Sequence, residues 1–157
     1  MSGDPVTERD ETTHAVGIDM IEIERVAKVF ARHPRRFIER VYTPEEAAFC
    51  RGRVPELAAR FAAKEAVMKA LGTGARSVAW RDIEVLPDRR GKPLVYLYGG
   101  AADRAERIGL HAIDVSLSHL DSFALAAVVC SQRSPEQPHA EARKRLVRRL
   151  RERELLE

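Results

Sequence analysis

The sequence predicts an α+β fold, a mainly antiparallel sheet packed with helices, and three observations carry that expectation. Apolar residues recur at helical spacing from residue 23 to residue 71. After a GTGARS loop the pattern changes to period two. The strands of that second half are joined by one hairpin loop and one short turn, so neighbours should run antiparallel. A chain of 157 residues fits one domain with a real core.

In chain order, residues 1–13 are polar and read as a flexible arm. HAVGIDMIEI then alternates, Val16 and Ile18 against Gly17 and Asp19, as a short strand. A helix burying Ile23, Val26, Ala27 and Phe30 should follow and end before Pro34, because proline disfavours helix in the residue ahead of it. Thr43-Pro44-Glu45-Glu46 offers a capping threonine, proline at the first helical position and acids in the first turn; Gly52 stops that short helix. A longer helix opens around Pro55 and runs to Leu71, with Gly72 as its C-terminal cap. Residues 82–86 and 94–98 read as strands joined by PDRRGKP, and 99–109 as an Ala-rich helix. Residues 111–118 and 122–129 are two further strands around the turn His119-Leu120-Asp121. From Ser131 the chain loosens into a linker, and 140–156 reads as an exposed basic helix or tail.

Bulk properties narrow the class. No apolar run approaches the roughly 20 residues that span a bilayer, and the polar start MSGDPVTERDETTH lacks the pattern of a signal peptide. A soluble, cytoplasmic protein is expected, with no membrane partner. Cys50 and Cys130 lack metal-ligand spacing and read as buried free thiols. Charge is unevenly spread: from Glu141 onward seven Arg/Lys face four Glu, a surplus equal to the net +3 of the whole chain. Residues 23–40 hold six basic groups against Glu24 and Glu39. A local basic surface on a neutral body suggests a specific acidic partner rather than general nucleic-acid binding.

Three constellations carry chemistry. In the longer helix Leu57, Phe61, Met68 and Leu71 should face the core, while a neighbouring ridge reads Ala58, Ala62, Glu65, Lys69. Glu65 and Lys69 project side by side at i,i+4, and the alanines should leave space beside them. A carboxylate for a cation and an ammonium for phosphate oxygens suit a metal-bound phosphate, although the same pair also suits an ordinary helix surface. Asp19 follows an apolar strand and precedes helix-forming sequence, and it would supply a second hard oxygen. Mg²⁺ typically takes one or two carboxylates with waters and substrate phosphates. Ser116 and Ser118 share one face of a strand and His119 opens the turn, where their donors could grip a phosphate. No nucleophile-elbow glycines accompany them, so serine-hydrolase chemistry is not expected.

VGIDMIEIERV, RFAAKEAVMKALG and VSLSHLDSFALAAVV, in that order, resemble the holo-acyl-carrier-protein synthase family of 4′-phosphopantetheinyl transferases, with DIEV and GKP also matching. The resemblance spans residues 14–130, leaving 1–13 and 131–157 outside it. It implies the small single-domain transferase fold, assembled as a homotrimer with active sites between subunits. It also implies transfer of 4′-phosphopantetheine from coenzyme A to a serine of an apo acyl carrier protein, leaving adenosine 3′,5′-bisphosphate, as in fatty acid biosynthesis. By similarity Asp19 and Glu65 hold Mg²⁺, with Mn²⁺ as an alternative cation, and Lys69 contacts the coenzyme A pyrophosphate. Glu65 is the implied base, directly or through water. Ser118 and His119 match the nucleotide-contacting turn, with His119 serving the neighbouring chain, and Arg60 is a weaker phosphate candidate. Lys64 fits the motif as an orienting group for Glu65 or a second phosphate contact. Arg25, Lys28 and Arg32, spaced as one stripe, would meet the acidic carrier. Two rival readings are a Mg²⁺-dependent nucleotide phosphohydrolase and a basic nucleic-acid-binding module, the second disfavoured by the lack of aromatics among the basic positions.

Overall fold

The structure is a computed structural model that describes residues 13–133 and 139–155. Its elements are β1 (Thr13–Glu22), α1 (Ile23–Arg32), α2 (Pro34–Val41), α3 (Pro44–Cys50), α4 (Val54–Ala70), β2 (Ile83–Pro87), β3 (Pro93–Leu97), α5 (Gly99–Arg107), β4 (Leu110–His119), β5 (Phe123–Gln132) and α6 (His139–Glu152). β1, β5 and β4 form one antiparallel sheet in that order, and β2 and β3 form a separate hairpin. The α+β expectation holds. The arm at 1–12 and the linker at 134–138 lie outside the described residues.

Local chemistry accounts for several helix ends. Thr43 accepts a bond from the Glu46 backbone N–H at 3.2 Å, and the Glu46 carboxylate accepts from the Thr43 N–H at 2.9 Å, so a complete capping box opens α3. Gly72 adopts φ +70 after α4, where Thr73 N–H bonds back to the Met68 carbonyl at 3.2 Å. That is a Schellman close. α2 is an element that the sequence reading left unassigned. Its first residue is Pro34, and His33, at φ −142, breaks the chain between it and α1.

α4 is the axis of the molecule. It is buried on nearly every side, leaving Glu65 half-buried and Lys69 exposed within its second half. Ala62, Ala63, Ala66 and Val67 pack against the sheet, and Leu57, Ala58 and Ala59 pack against α1 to α3. Two expectations change here. Ala58 and Ala62 are fully buried, so the alanines admit neighbours rather than leaving space. Phe61 is only partly buried and turns toward a cavity described below.

β1 keeps its alternation, but the side that packs inward is Ala15, Gly17, Asp19 and Ile21. Asp19 therefore sits mid-strand, not at a strand end. Gly17 meets α4 directly: a Cβ there would lie 1.8 Å from the Ala66 carbonyl oxygen. Only a glycine lets strand and helix backbones come this close. Val16, Ile18 and Met20 point outward and are 60–70% exposed. Through the register they share an apolar outer face with Leu125 and Val129.

Candidate active site

The backbone contact at Gly17 sets the register that brings Asp19 of β1 to Glu65 and Lys69 of α4. Asp19 and Glu65 line one cavity of about 420 Å³, with Arg25 at its rim and Met20, Ile21, Val26, Val29, Phe37 and Phe61 as apolar walls. Lys69 Nζ donates to Asp19 Oδ1 at 2.8 Å and to the Ile18 carbonyl at 2.8 Å, which ties the helix to the strand beside the acids. Burial, joined by the negative charge of Asp19, pushes the Glu65 carboxyl above its ordinary range, and Lys69 pulls it partly back. Two carboxylates thus share a partly desolvated space with one ammonium between strand and helix.

That raised value has a stability consequence. A carboxyl that binds its proton more tightly when folded costs stability as pH rises from its unfolded value through its folded one. Glu65→Gln is therefore expected to melt higher than the parent at neutral pH in cation-free buffer. The gap should close as pH falls below the ordinary glutamate value of 4.5, as read by thermal melts across pH.

The other expected site residues separate. Ser118 is exposed and lies on the outer sheet face, opposite Leu125. Ser116 shares that face. His119, the last residue of β4, lines a second groove of about 480 Å³ with Arg60, Phe49, Glu56 and the hairpin loop at Pro87, Asp88, Arg89 and Gly91. Neither Ser118 nor His119 lines the cavity of the acids in the same chain. Arg60 is buried, with Nε on the Val85 carbonyl at 3.1 Å and an ion pair to Glu56 at 2.6 Å. It stacks over the Phe49 ring at 4.4 Å. In the basic stripe Arg25 reaches the acid cavity, Lys28 pairs with Glu24 at 2.7 Å, and Arg32 is exposed.

Lys64 departs from both roles expected of it. It is fully buried and donates to Glu46 Oε2 at 2.7 Å, to the Trp80 carbonyl at 3.0 Å and to the Ile83 carbonyl. It faces neither Glu65 nor solvent. Burial pulls its ammonium below the ordinary lysine range, and Glu46 works against that. Glu46 also accepts from the Val85 N–H at 2.9 Å, and Thr43 Oγ1 donates to Glu84 at 2.6 Å. Sequence reading had found the cap at Thr43 and Glu46 but not this network, because helix spacing does not reveal a partner eighteen residues away. The hairpin loop was also missed as a groove wall. Its signal was the Asp88-Arg89-Arg90-Gly91 turn, in which Asp88 Oδ1 accepts the Arg90 and Lys92 amides at 2.8 and 2.9 Å.

Among the described residues no three His, Cys, Asp or Glu side chains converge as a metal cluster, so Asp19 and Glu65 are the hard-oxygen pair at hand. No described helix is long and apolar enough to cross a membrane. Both cysteines are buried free thiols, pushed up to about 11 by burial.

Comparison with known proteins places this architecture. The model of the 4′-phosphopantetheinyl transferase superfamily matches residues 15–128. A holo-[acyl-carrier-protein] synthase of Herpetosiphon aurantiacus is 47% identical over 120 residues, covering 72% of this chain and 94% of that protein. One from Moorella thermoacetica is 45% identical over 124 residues, covering 77% and 96%. Among solved structures, the Helicobacter pylori holo-[acyl-carrier-protein] synthase in complex with coenzyme A superposes with a TM-score of 0.68 at 31% identity, covering 73% of this chain and 98% of that one. The Chronobacterium ammoniagenes ACPS–CoA complex gives 0.70 at 31% identity, covering 78% and 99%. The chain belongs to the 4′-phosphopantetheinyl transferase superfamily and, within it, to the holo-[acyl-carrier-protein] synthases.

Proposed function

We propose that the chain transfers 4′-phosphopantetheine from coenzyme A to a serine hydroxyl of an apo acyl carrier protein, in a reaction that depends on Mg²⁺. The observation that carries this reading is the cavity shared by Asp19 and Glu65, with Lys69 bonded to Asp19 beside it. Coenzyme A is the molecule named as bound in the complexes of the relatives.

The donor set fits the cation that the family implies. Two carboxylates share one cavity, and burial and then the charge of Asp19 make Glu65 reluctant to ionise, so these hard oxygens suit a cation. Asp19 and Glu65 would hold it; when bound, Mg²⁺ or Mn²⁺ would offset charge on the pyrophosphate oxygens. Lys69 adds its ammonium to those oxygens. Glu65 takes the serine proton, directly or through water. The serine oxygen forms its bond to the pantetheine-bearing phosphorus as the bond to the second phosphate breaks. Adenosine 3′,5′-bisphosphate leaves.

Arg60, His119 and the hairpin loop form the groove for the nucleotide end, with Ser118 on the adjoining face. Within one chain this groove and the acid cavity do not share a wall residue. A homotrimer meeting through the apolar outer face would bring one protomer's groove to its neighbour's acids. Arg25, Lys28 and Arg32, exposed on α1 beside the cavity, would steer the acidic carrier.

The test is a mass measurement on an apo carrier protein incubated with the chain, coenzyme A and Mg²⁺. A gain of one phosphopantetheinyl group is expected. An unmodified carrier with phosphate released from the nucleotide would favour phosphohydrolase chemistry instead. Lys69→Ala should lower kcat/KM for coenzyme A by roughly 10- to 100-fold, the worth of a charge-assisted hydrogen bond. An unchanged value would remove Lys69 from the pyrophosphate. Mixing inactive Asp19→Ala and His119→Ala chains should restore intact sites at roughly a quarter of the interfaces under random assembly. No recovery in mixed trimers would mean the site is not shared.

A further inference from the structure

Strand β2 pairs with β3 on one side. Three of its backbone groups are instead satisfied by charged side chains. The Ile83 carbonyl takes Lys64 Nζ, the Val85 N–H gives to Glu46 Oε1 at 2.9 Å, and the Val85 carbonyl takes Arg60 Nε at 3.1 Å. Arg60 and Lys64 are one turn apart on α4, and Glu46 comes from α3. Lys64 and Glu46 are both fully buried and bonded to each other at 2.7 Å. A helix and a strand are thus joined by ion-paired side chains where a third strand would otherwise lie. The arrangement is dear in desolvation, but it pairs backbone groups of β2 that an apolar seam would leave unsatisfied. What it adds is fixed geometry, because each bond has one donor direction and one acceptor.

The seam also lies between the groove and the acid cavity of one chain, which in the proposed trimer serve two neighbouring sites. β2 leads directly into the hairpin loop at Pro87, Asp88, Arg89 and Gly91 that walls the His119 groove. One residue beyond Lys64 on α4 stands Glu65 of the acid cavity. We infer that Lys64 is a positioning residue, which with Glu46 fixes β2 against α4 and so sets where the groove wall stands that each chain presents to its neighbour's acids. The inference rests on the proposed donor groove, and it gives the lysine of the KEA motif a task apart from phosphate contact.

Two variants test it. Lys64→Met leaves Glu46 buried without its cation and is at risk of not folding; Lys64→Met with Glu46→Gln removes both charges together. In the folded double variant, hydrogen exchange at β2 should rise while β1 and β5 keep their protection. Its KM for coenzyme A should rise about tenfold with a smaller change in kcat, as expected for a misplaced binding wall. Mn²⁺ affinity at the acids should stay unchanged. A double variant with parental exchange at β2 and parental KM would overturn the inference, as would equal loosening throughout the sheet. If the unmodified chain fails to modify a carrier protein, the proposed function fails, and the exchange arm still reads the seam on its own.

Discussion

Asp19→Ala and Glu65→Ala are each expected to abolish transfer, with kcat lowered roughly 10³-fold or more, while the fold survives. The size follows from what each change removes. Either one removes half of the carboxylate charge that holds the dication in the cavity and the geometry in which the two acids hold it together. Survival of the fold follows from the surroundings. Without Asp19, Lys69 keeps its bond to the Ile18 carbonyl, so strand and helix stay joined. Without Glu65, a carboxyl already held above its ordinary range is gone, which relieves the cavity. Steady-state rates with circular dichroism on the same preparations check both halves. Transfer at even a tenth of the parental rate in either variant would mean that the acids do not work as a pair.

Gly17→Ala is expected to have the largest effect on stability, a loss of about 3 kcal/mol or more. The new methyl carbon would sit 1.8 Å from the Ala66 carbonyl oxygen and 3.1 Å from the Ala70 backbone nitrogen. These atoms belong to helix backbone, so no side chain can turn aside. β1 must lift from α4, and Asp19 lifts with it. Chemical denaturation should show the lower midpoint, and whatever protein still folds should transfer poorly. Parental stability in this variant would mean that strand and helix do not meet at Gly17.

The glycine also shows what was legible in the sequence. Its place in VGIDMIEI was read as one side of an alternating strand, and the strand is there. Which side faces inward was not legible, because hydropathy favours Val16 and Ile18, and both are exposed. The inward side is chosen by close approach of α4. Among the described residues nothing covers the outward apolar side of Val16, Ile18 and Met20. Caps and stops were readable because they are local: Thr43 with Glu46, Gly52, and Gly72 all act within a few residues. α2 escaped because PRRFIERV is short, mostly charged, and follows α1 after one residue.

Site residues divide along the same line. Asp19, Glu65 and Lys69 were named from residue type and helical spacing, and they gather at one cavity edge because strand register and helix phase bring them there. Lys64 could not be placed, since its partners come from α3, the Trp80 carbonyl and β2, none of which its spacing reveals. Arg60 was named for a phosphate, but its side chain is also bound to Glu56 and Val85, which a linear reading cannot see. Residues 1–12 and 134–138 fall outside the described residues, while α6 spans most of the basic segment that reads as a helix or tail.

The proposed site rests on one cation held jointly by a strand acid and a helix acid. Titrating Mn²⁺ into the protein with coenzyme A, read by electron paramagnetic resonance, asks this without relying on turnover. One ion should bind per chain, and the tight site should vanish in Asp19→Asn and in Glu65→Gln alike. Full-affinity binding that persists in either variant would contradict a shared site.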